Sequence, residues 1–522
     1  MADAAAAPDP SAPAPQGAPG APASAAEGVP GPSVRRAAMW AMAAQYVTFG
    51  VTFVTGVIIS RFFLGPEEVG LFSIALAAAM LVSVFQDFGI TRYIAGEPEL
   101  GPDKVRTCFS VSLVVALALG LGILGLAWPI AAFYGDERLA SVVAVIAASY
   151  LLVPFGIVPA ALLQRQMDFQ RLFVVNSGSI LAMGATAITL AASGWSALSL
   201  SWAVVAQAGA KAVLGIALSG CRPPWPLTFT GSGPVLQFGS KMMALYAVAA
   251  VGSRSPDLIV GRVVGIAATG LFSRATSLAH QLVTLLTGAV GAVFYPAFAR
   301  LRDRGDDLAP PYLRVTAGFT AVTWPGLAFL AAAALPVVLL LYGQTWAEVA
   351  PLLALIAISE FFFCALPLQG ELPILLGRMK LLLVINIIET IFSIVLLVVA
   401  GLWSLEAAAA SRIVYGLFWW LVYAWMVRSL VKLRWRDLLD VYARSFVATI
   451  ATVAPLLLVY EFVAGPATIP FLWLAAAAIA GCLCWLGALY LVRHPARHEV
   501  SGFVELLLKG SPLRRFRMAP AE

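Results

Sequence analysis

Arg412, Glu360 and Glu389 each stand in the middle of a long apolar stretch. An unpaired charge at that depth of a bilayer costs about 3 kcal/mol or more on insertion scales, so residues placed there need a partner or a task. A guanidinium offers planar paired donors that match phosphate oxygens and stays charged at any working pH. Arg274 adds a second one. It heads a stripe of Arg274, Ser277, Gln281, Thr284, Gly288, Gly291 and Tyr295, which steps by three or four residues and so shares one helix face. Gln45, Thr48, Thr52 and Thr55 form another such stripe. The chemistry these groups offer is binding, with Arg274 and Arg412 as candidate ligands of a phosphate-bearing anion and Gln281 and Gln45 as polar groups on the two stripes. Two plainer readings stay open: a buried ion pair of Arg412 with Glu389 or Glu360, and polar stripes that only glue helices together.

Lys241, Arg254 and Arg262 flank one apolar segment, where they either join the anion site or snorkel to the interface. Asp87 follows Gln86 and could pair with Arg92 or Lys241 as a gate. His280 lies beside the stripe, as a proton carrier or a packing residue. Asp87, Glu360, Glu389 and His280 are thus the candidates for gating or ion coupling, to protons or sodium, although no spacing among them defines an ion site. The five cysteines, at 108, 221, 364, 482 and 484, and the three histidines make no metal or disulfide pattern. No catalytic residue, metal or cofactor is expected.

These residues need a scaffold that spans a membrane. Only 11% of the residues are charged against 61% hydrophobic, far more apolar surface than a soluble core buries. The fold class is an all-α polytopic membrane protein. About fourteen hydrophobic segments follow one another, near 38–60, 71–94, 107–133, 139–163, 172–193, 196–219 and 235–253, then 270–295, 315–341, 349–370, 380–401, 404–428, 443–464 and 470–492. Residues 1–33 hold 12 Ala and 8 Pro without an apolar run and read as a disordered cytoplasmic tail. Residues 500–508 read either as an interfacial helix or as part of a plain basic tail.

Positive charge orders the loops. Those after even-numbered segments carry Lys104, Arg106, Arg165, Arg171, Arg300, Arg302, Arg378, Lys380, Arg428 and Arg434 among others, and the opposite side keeps only Arg61, Arg138, Arg254 and Arg262. The net charge of +6 is therefore topology, not a nucleic-acid patch, and it puts both termini in the cytoplasm. Loops on the far side are short, the longest running roughly from 253 to 269, which leaves no room for a folded catalytic domain there.

The chain also repeats itself. Arg61, Gly65 and Gly70-Leu71-Phe72-Ser73 return as Arg262, Gly265 and Gly270-Leu271-Phe272-Ser273. Tyr134-Gly135 returns as Tyr342-Gly343, and Pro159, Arg165, Asn176, Gly194 and Trp195-Ser196 return as Pro373, Arg378, Asn386, Gly401 and Trp403-Ser404. Two like-oriented halves in a membrane protein point to a transporter.

The segments Arg61 to Ser73, Asp87-Phe88-Gly89, Pro159 to Phe169, Asp257 to Ala275 and Pro336 to Pro351 resemble the bacterial Wzx-type polysaccharide flippases, which export lipopolysaccharide and exopolysaccharide precursors. These belong with multidrug extruders and the lipid II flippase in the multidrug/oligosaccharidyl-lipid/polysaccharide superfamily, and the similarity spans about residues 36 to 430. It implies two six-helix lobes around a cavity, related by a pseudo-twofold axis along the membrane normal, at 36–222 and 234–430. A further helix pair at 440–494 and a basic tail at 495–522 follow, after an amino-terminal tail at 1–35. The implied cargo is an oligosaccharide on a polyprenyl diphosphate such as undecaprenyl diphosphate. It crosses from the cytoplasmic to the outer leaflet of the bacterial inner membrane by alternating access, and polymerase or export proteins act afterwards. The competing reading is a cation-coupled small-molecule antiporter of the same superfamily. Its lumen would need carboxylates and aromatics, whereas arginine and lysine dominate here.

Overall fold

The computed structural model describes residues 34–83, 90–97, 99–221, 225–230, 232–287 and 290–497, with side chains described except at 34–38, 83, 92, 234–249, 287, 290–293 and 296. Both terminal tails, Asp87, Gly288 and the side chains of Arg92 and Lys241 lie outside the described residues.

All regular structure among the described residues is helical, as it must be where no water can satisfy a bare backbone. The first half comprises α1 (Val34–Phe62), α2 (Pro66–Ser83), α3 (Ile90–Gly96), α4 (Pro102–Tyr134), α5 (Arg138–Tyr150), α6 (Val153–Arg165), α7 (Phe169–Ala192) and α8 (Ala197–Ser219). The second comprises α9 (Ser232–Val263), α10 (Ile266–Thr287), α11 (Val290–Arg304), α12 (Ala309–Ala332), α13 (Ala334–Leu341), α14 (Val349–Cys364), α15 (Glu371–Leu375), α16 (Met379–Gly401) and α17 (Leu405–Val431). Two more, α18 (Trp435–Phe462) and α19 (Phe471–Leu491), close the chain.

Each hydrophobic segment of the sequence falls on one described helix or on two in succession. By length and apolarity, nine of the described helices can cross a membrane alone, and ten spans result when α5 and α6, bent by 42° at their junction, count as one. The expected fourteen crossings are not reached by that measure. Of the segments that miss it, α10 carries Arg274, His280 and Gln281, whose polarity lowers its hydropathy. Another, α14, has only 16 residues.

Local signals set the helix ends. Gly135 and Gly343, repeat mates in the sequence, both turn the chain at positive φ, 75° and 84°, where a Cβ is costly. Asp168 caps α7 by accepting from the Arg171 amide at 3.1 Å, and Ser404 caps α17 by accepting from Ala407 at 3.0 Å. Pro154 opens α6 just past the bend, a position where its missing N–H costs nothing.

Within the first half, α7 packs on α8 and α1, and α5 packs between α4 and α8; within the second, α14 packs on α17 and α12, and α16 on α17 and α9. The last pair, α18 and α19, leans on the second half through α12. The halves meet mainly where α2 lies against α10 and α9. Lipid provides little hydrophobic drive for such contacts, so close backbone approach and hydrogen bonds must hold them.

That approach is made by the repeated motif itself. A Cβ placed on Gly70 would lie 1.9 Å from the carbonyl oxygen of Ile266, and one on Gly270 would lie 1.9 Å from that of Pro66. One turn on, the hydroxyls of Ser73 and Ser273 are 3.0 Å apart. Each copy of the motif therefore touches the other copy, the signature of a local twofold axis between α2 and α10.

We call this end of the bundle, with the α1–α2 and α9–α10 turns, the upper end. Further bonds join the halves there: Trp346 Nε1 donates to Ser60 O at 2.8 Å, Tyr134 Oη donates to Leu258 O at 2.9 Å, and the Arg61 guanidinium donates to the Leu340 carbonyl. An apolar cluster with Ile59, Leu64 and Val69 from one half and Val260, Phe272 and Trp346 from the other seals the same end. At the lower end the described clusters stay within their own half, around Ile94 and Phe109 in one and around Phe298 and Tyr312 in the other.

Candidate functional site

Arg274 lies one turn below the Gly270 contact on α10, under the sealed end. Its guanidinium carbon stands 5.9 Å from the centre of the Trp346 ring. Gly56 lets α1 pass close by, since a Cβ there would come within 3.3 Å of an Arg274 guanidinium nitrogen. Among the described residues no carboxylate lies within ion-pair distance of Arg274, and its Nε has no hydrogen-bond partner although it is buried. The Thr276 hydroxyl and Gln281 Oε1 are likewise buried and unpartnered.

Gln281 turns its amide nitrogen to Ser277 Oγ, 2.8 Å away on the same helix face, and Thr284 donates to the His280 carbonyl at 2.9 Å. Buried polar atoms without partners are uncommon in folded proteins and call for an explanation. Three of them fall within eight residues of one helix, Arg274 and Gln281 on one face and Thr276 on the opposite one.

The second half holds a separate polar group. Glu360 on α14 is buried, and Glu389 on α16 accepts a hydrogen bond from Tyr415 Oη of α17 at 2.8 Å. Arg412 of α17 lies over the rings of Tyr415 and Phe363, with centroids 5.0 and 5.5 Å from its guanidinium carbon. No ion pair joins Arg412 to Glu389 or Glu360 within 4.0 Å, and none appears for Arg412 among the described residues. The aromatic rings take the cation, and Tyr415 takes the carboxylate that an ion pair would have used. Arg412 and His280 both remain within electrostatic reach of Glu360. Asn386 accepts from the Tyr423 hydroxyl beside them.

The remaining candidates are dispersed. Arg262 sits at the upper end, exposed, with its guanidinium 4.9 Å from the centre of the Phe133 ring across the junction. Arg254 is half-buried one turn before Asp257 on α9. Gln45 is not beside Arg274. It lines a cavity of about 300 Å³ inside the first half, between α1, α7 and α8, together with Trp40, Thr48, Phe173, Asn176, Gln207 and Lys211. Further up α1, Thr55 packs against α7 where a Cβ on Gly184 would come within 2.6 Å of its hydroxyl. The α1 stripe thus divides into a packing half and a cavity half. The sequence reading did not single out Trp40, Asn176 and Gln207 as binding residues, although the Asn176–Asn386 echo was the signal that could have raised the second of them.

Two packed helical halves, locked together at one end and carrying cationic and polar groups without partners below it, fit a polytopic membrane transport protein. Over residues 58–351 the chain matches the family described as Polysaccharide biosynthesis protein, and it belongs to that family. It is 26% identical over 335 residues to the succinoglycan biosynthesis transport protein ExoT of Rhizobium meliloti, covering 63% of this chain and 66% of that relative's length. It is 20% identical over 367 residues to the lipopolysaccharide biosynthesis protein WzxC of Escherichia coli, covering 70% and 74%.

Solved structures share the fold at low identity. The lipid II flippase MurJ in an inward closed conformation aligns with a TM-score of 0.70 and 13% identity over 88% of this chain and 98% of that one. An inward-facing multidrug resistance MATE family transporter of the MOP superfamily aligns at 0.55 and 14% over 76% and 99%.

Proposed function

We propose that this protein is a flippase. It moves a polyprenyl-diphosphate-linked oligosaccharide from the cytoplasmic to the outer leaflet of the bacterial inner membrane for cell-surface polysaccharide assembly, and it catalyses no covalent step. The observation that carries this reading is Arg274: a guanidinium without a carboxylate partner, among unpartnered polar atoms, directly beneath a junction that joins two halves of the chain. A diphosphate meets such a group with paired, charged hydrogen bonds, while its prenyl tail stays among lipids. A cationic drug would be repelled there.

The upper end is the outer face, following the distribution of lysine and arginine among the loops, and both termini are cytoplasmic. Residues 36–222 and 234–430 act as two lobes that rock about the α2–α10 contact, with 440–494 appended. Arg412 is a second anion ligand, held ready by aromatic faces rather than neutralised by an acid. Glu360, Glu389 and His280 are the groups for coupling to a proton or sodium gradient. Arg262 and Arg61 belong to the outer junction rather than to the cargo path.

The test is replacement of Arg274 by Gln and by Lys. Surface polysaccharide should fall at least tenfold in the Gln variant, with lipid-linked oligosaccharide retained on the cytoplasmic leaflet and normal protein levels in the membrane. The Lys variant keeps the charge without the planar fork and should fall between. Normal export by Arg274→Gln would end the proposal for this residue.

A further inference from the structure

We propose that the cavity between α1, α7 and α8 is a recognition pocket for one sugar of the transported oligosaccharide, an inference that rests on the flippase reading above. The cavity measures about 300 Å³, at the small end of ligand pockets, which suits a single monosaccharide. Trp40 and Phe173 form one wall, with ring centres 5.1 Å apart and planes tilted by 53°. Gln45, Asn176 and Gln207 bring three carboxamides to it, and Thr48 a hydroxyl.

None of these four polar side chains hydrogen-bonds to another described residue. Ser179, also in the lining, is already used, donating to the Asn176 carbonyl at 2.9 Å. A carboxamide presents donors and an acceptor side by side, as vicinal sugar hydroxyls do, and an aromatic face covers the C–H surface of a pyranose. Aromatic wall and free carboxamides together are the chemistry of carbohydrate binding.

The duplication provides an internal comparison. Asn176 is the repeat mate of Asn386, whose side chain is occupied by the Tyr423 hydroxyl. Carried forward by the spacing of Ser196 and Ser404, the positions of Gln207, Lys211 and Gly215 on α8 correspond to Tyr415, Trp419 and Tyr423 on α17. In the second half Trp419 stacks on Tyr423 at 4.4 Å, whereas in the first half Gln207 and Lys211 line the cavity and Gly215 packs against Pro159 of α6. Gln45 lies eleven residues below Gly56, the α1 neighbour of Arg274, a rise of about 16 Å along the helix. That separation fits a sugar further along the chain than the one attached to the phosphate.

The experiment pairs export with headgroup binding. Trp40→Ala, Asn176→Leu, Gln207→Leu and the near-isosteric Asn176→Asp are each measured for surface polysaccharide. Each is also measured, in nanodiscs, for affinity toward undecaprenyl diphosphate that bears no sugar, with Arg274→Gln alongside. The expected result is at least a tenfold loss of export with sugar-free lipid affinity within twofold of the parent, and a smaller loss for Trp40→Phe. Export within twofold of the parent in all pocket variants would overturn the pocket, as would a parallel loss of sugar-free lipid affinity. Unchanged lipid affinity in Arg274→Gln would instead remove the diphosphate assignment, a separate readout in the same assay.

Discussion

Replacing Gly70 by alanine should unlock the outer junction. The added Cβ would sit 1.9 Å from the Ile266 carbonyl oxygen, where ordinary contact begins at 3.4 Å, so α2 and α10 must part by about 1.5 Å locally. Ser73 and Ser273, 3.0 Å apart in the closed junction, then pass out of hydrogen-bond range. Overpacking of this kind costs about 1–3 kcal/mol and a lost neutral hydrogen bond about 1 kcal/mol. Together they disfavour the closed outer end by about 2–4 kcal/mol, a population shift of roughly 30-fold to several hundredfold.

The assay is labelling of Val69→Cys, a buried position of the junction, by an impermeant maleimide from outside the cell, with the five native cysteines replaced. Gly70→Ala should raise labelling and lower export at least tenfold. Because the geometry is mutual, Gly270→Ala should match it, and the double variant should cost less than the sum, since one separation relieves both clashes. Unchanged labelling in Gly70→Ala, or a large effect in one mate and none in the other, would refute the reasoning.

Two further outcomes follow from the same coordinates. Gly122 in α4 has nothing within 4 Å of a built Cβ, so Gly122→Ala should leave export unchanged and stabilise the protein by about 0.5–1 kcal/mol, visible as a higher melting temperature in detergent. His494, just past α19, accepts from the Ala496 amide at Nδ1 at 3.2 Å and bonds Ser445 through Nε2 at 3.0 Å. Burial, aided by Arg444, pulls its imidazole down to about 4. The unfolded chain takes up its proton first, near pH 6.5. The contribution of His494 to stability is therefore complete above that pH and is lost as pH falls toward about 4. Proteolysis just after α19, in the segment that His494 ties to Ser445 of α18, should rise from pH 7 to pH 5 in the parent, and a His494→Asn variant should respond less to pH.

Composition alone determined the solvent, because a chain so poor in charge and so rich in apolar runs must be helical in lipid. The repeat was equally legible, since Gly70-Leu71-Phe72-Ser73 and its mate are written out in the same order twice. What the sequence left open was which faces meet. Periodicity aligns Arg274 with Gln281 on one side of a helix, yet it says nothing of what stands opposite, and a carboxylate there would have made the same arginine a structural ion pair. Only the tertiary structure decided that Arg412 rests on aromatic rings rather than on Glu389 or Glu360, and that Gln45 and Thr55 of one stripe face a cavity and a glycine respectively. It also decided that the two copies of the motif touch each other. Such outcomes depend on contacts between residues far apart in the chain, whose distances are set by helix packing and not by local propensity.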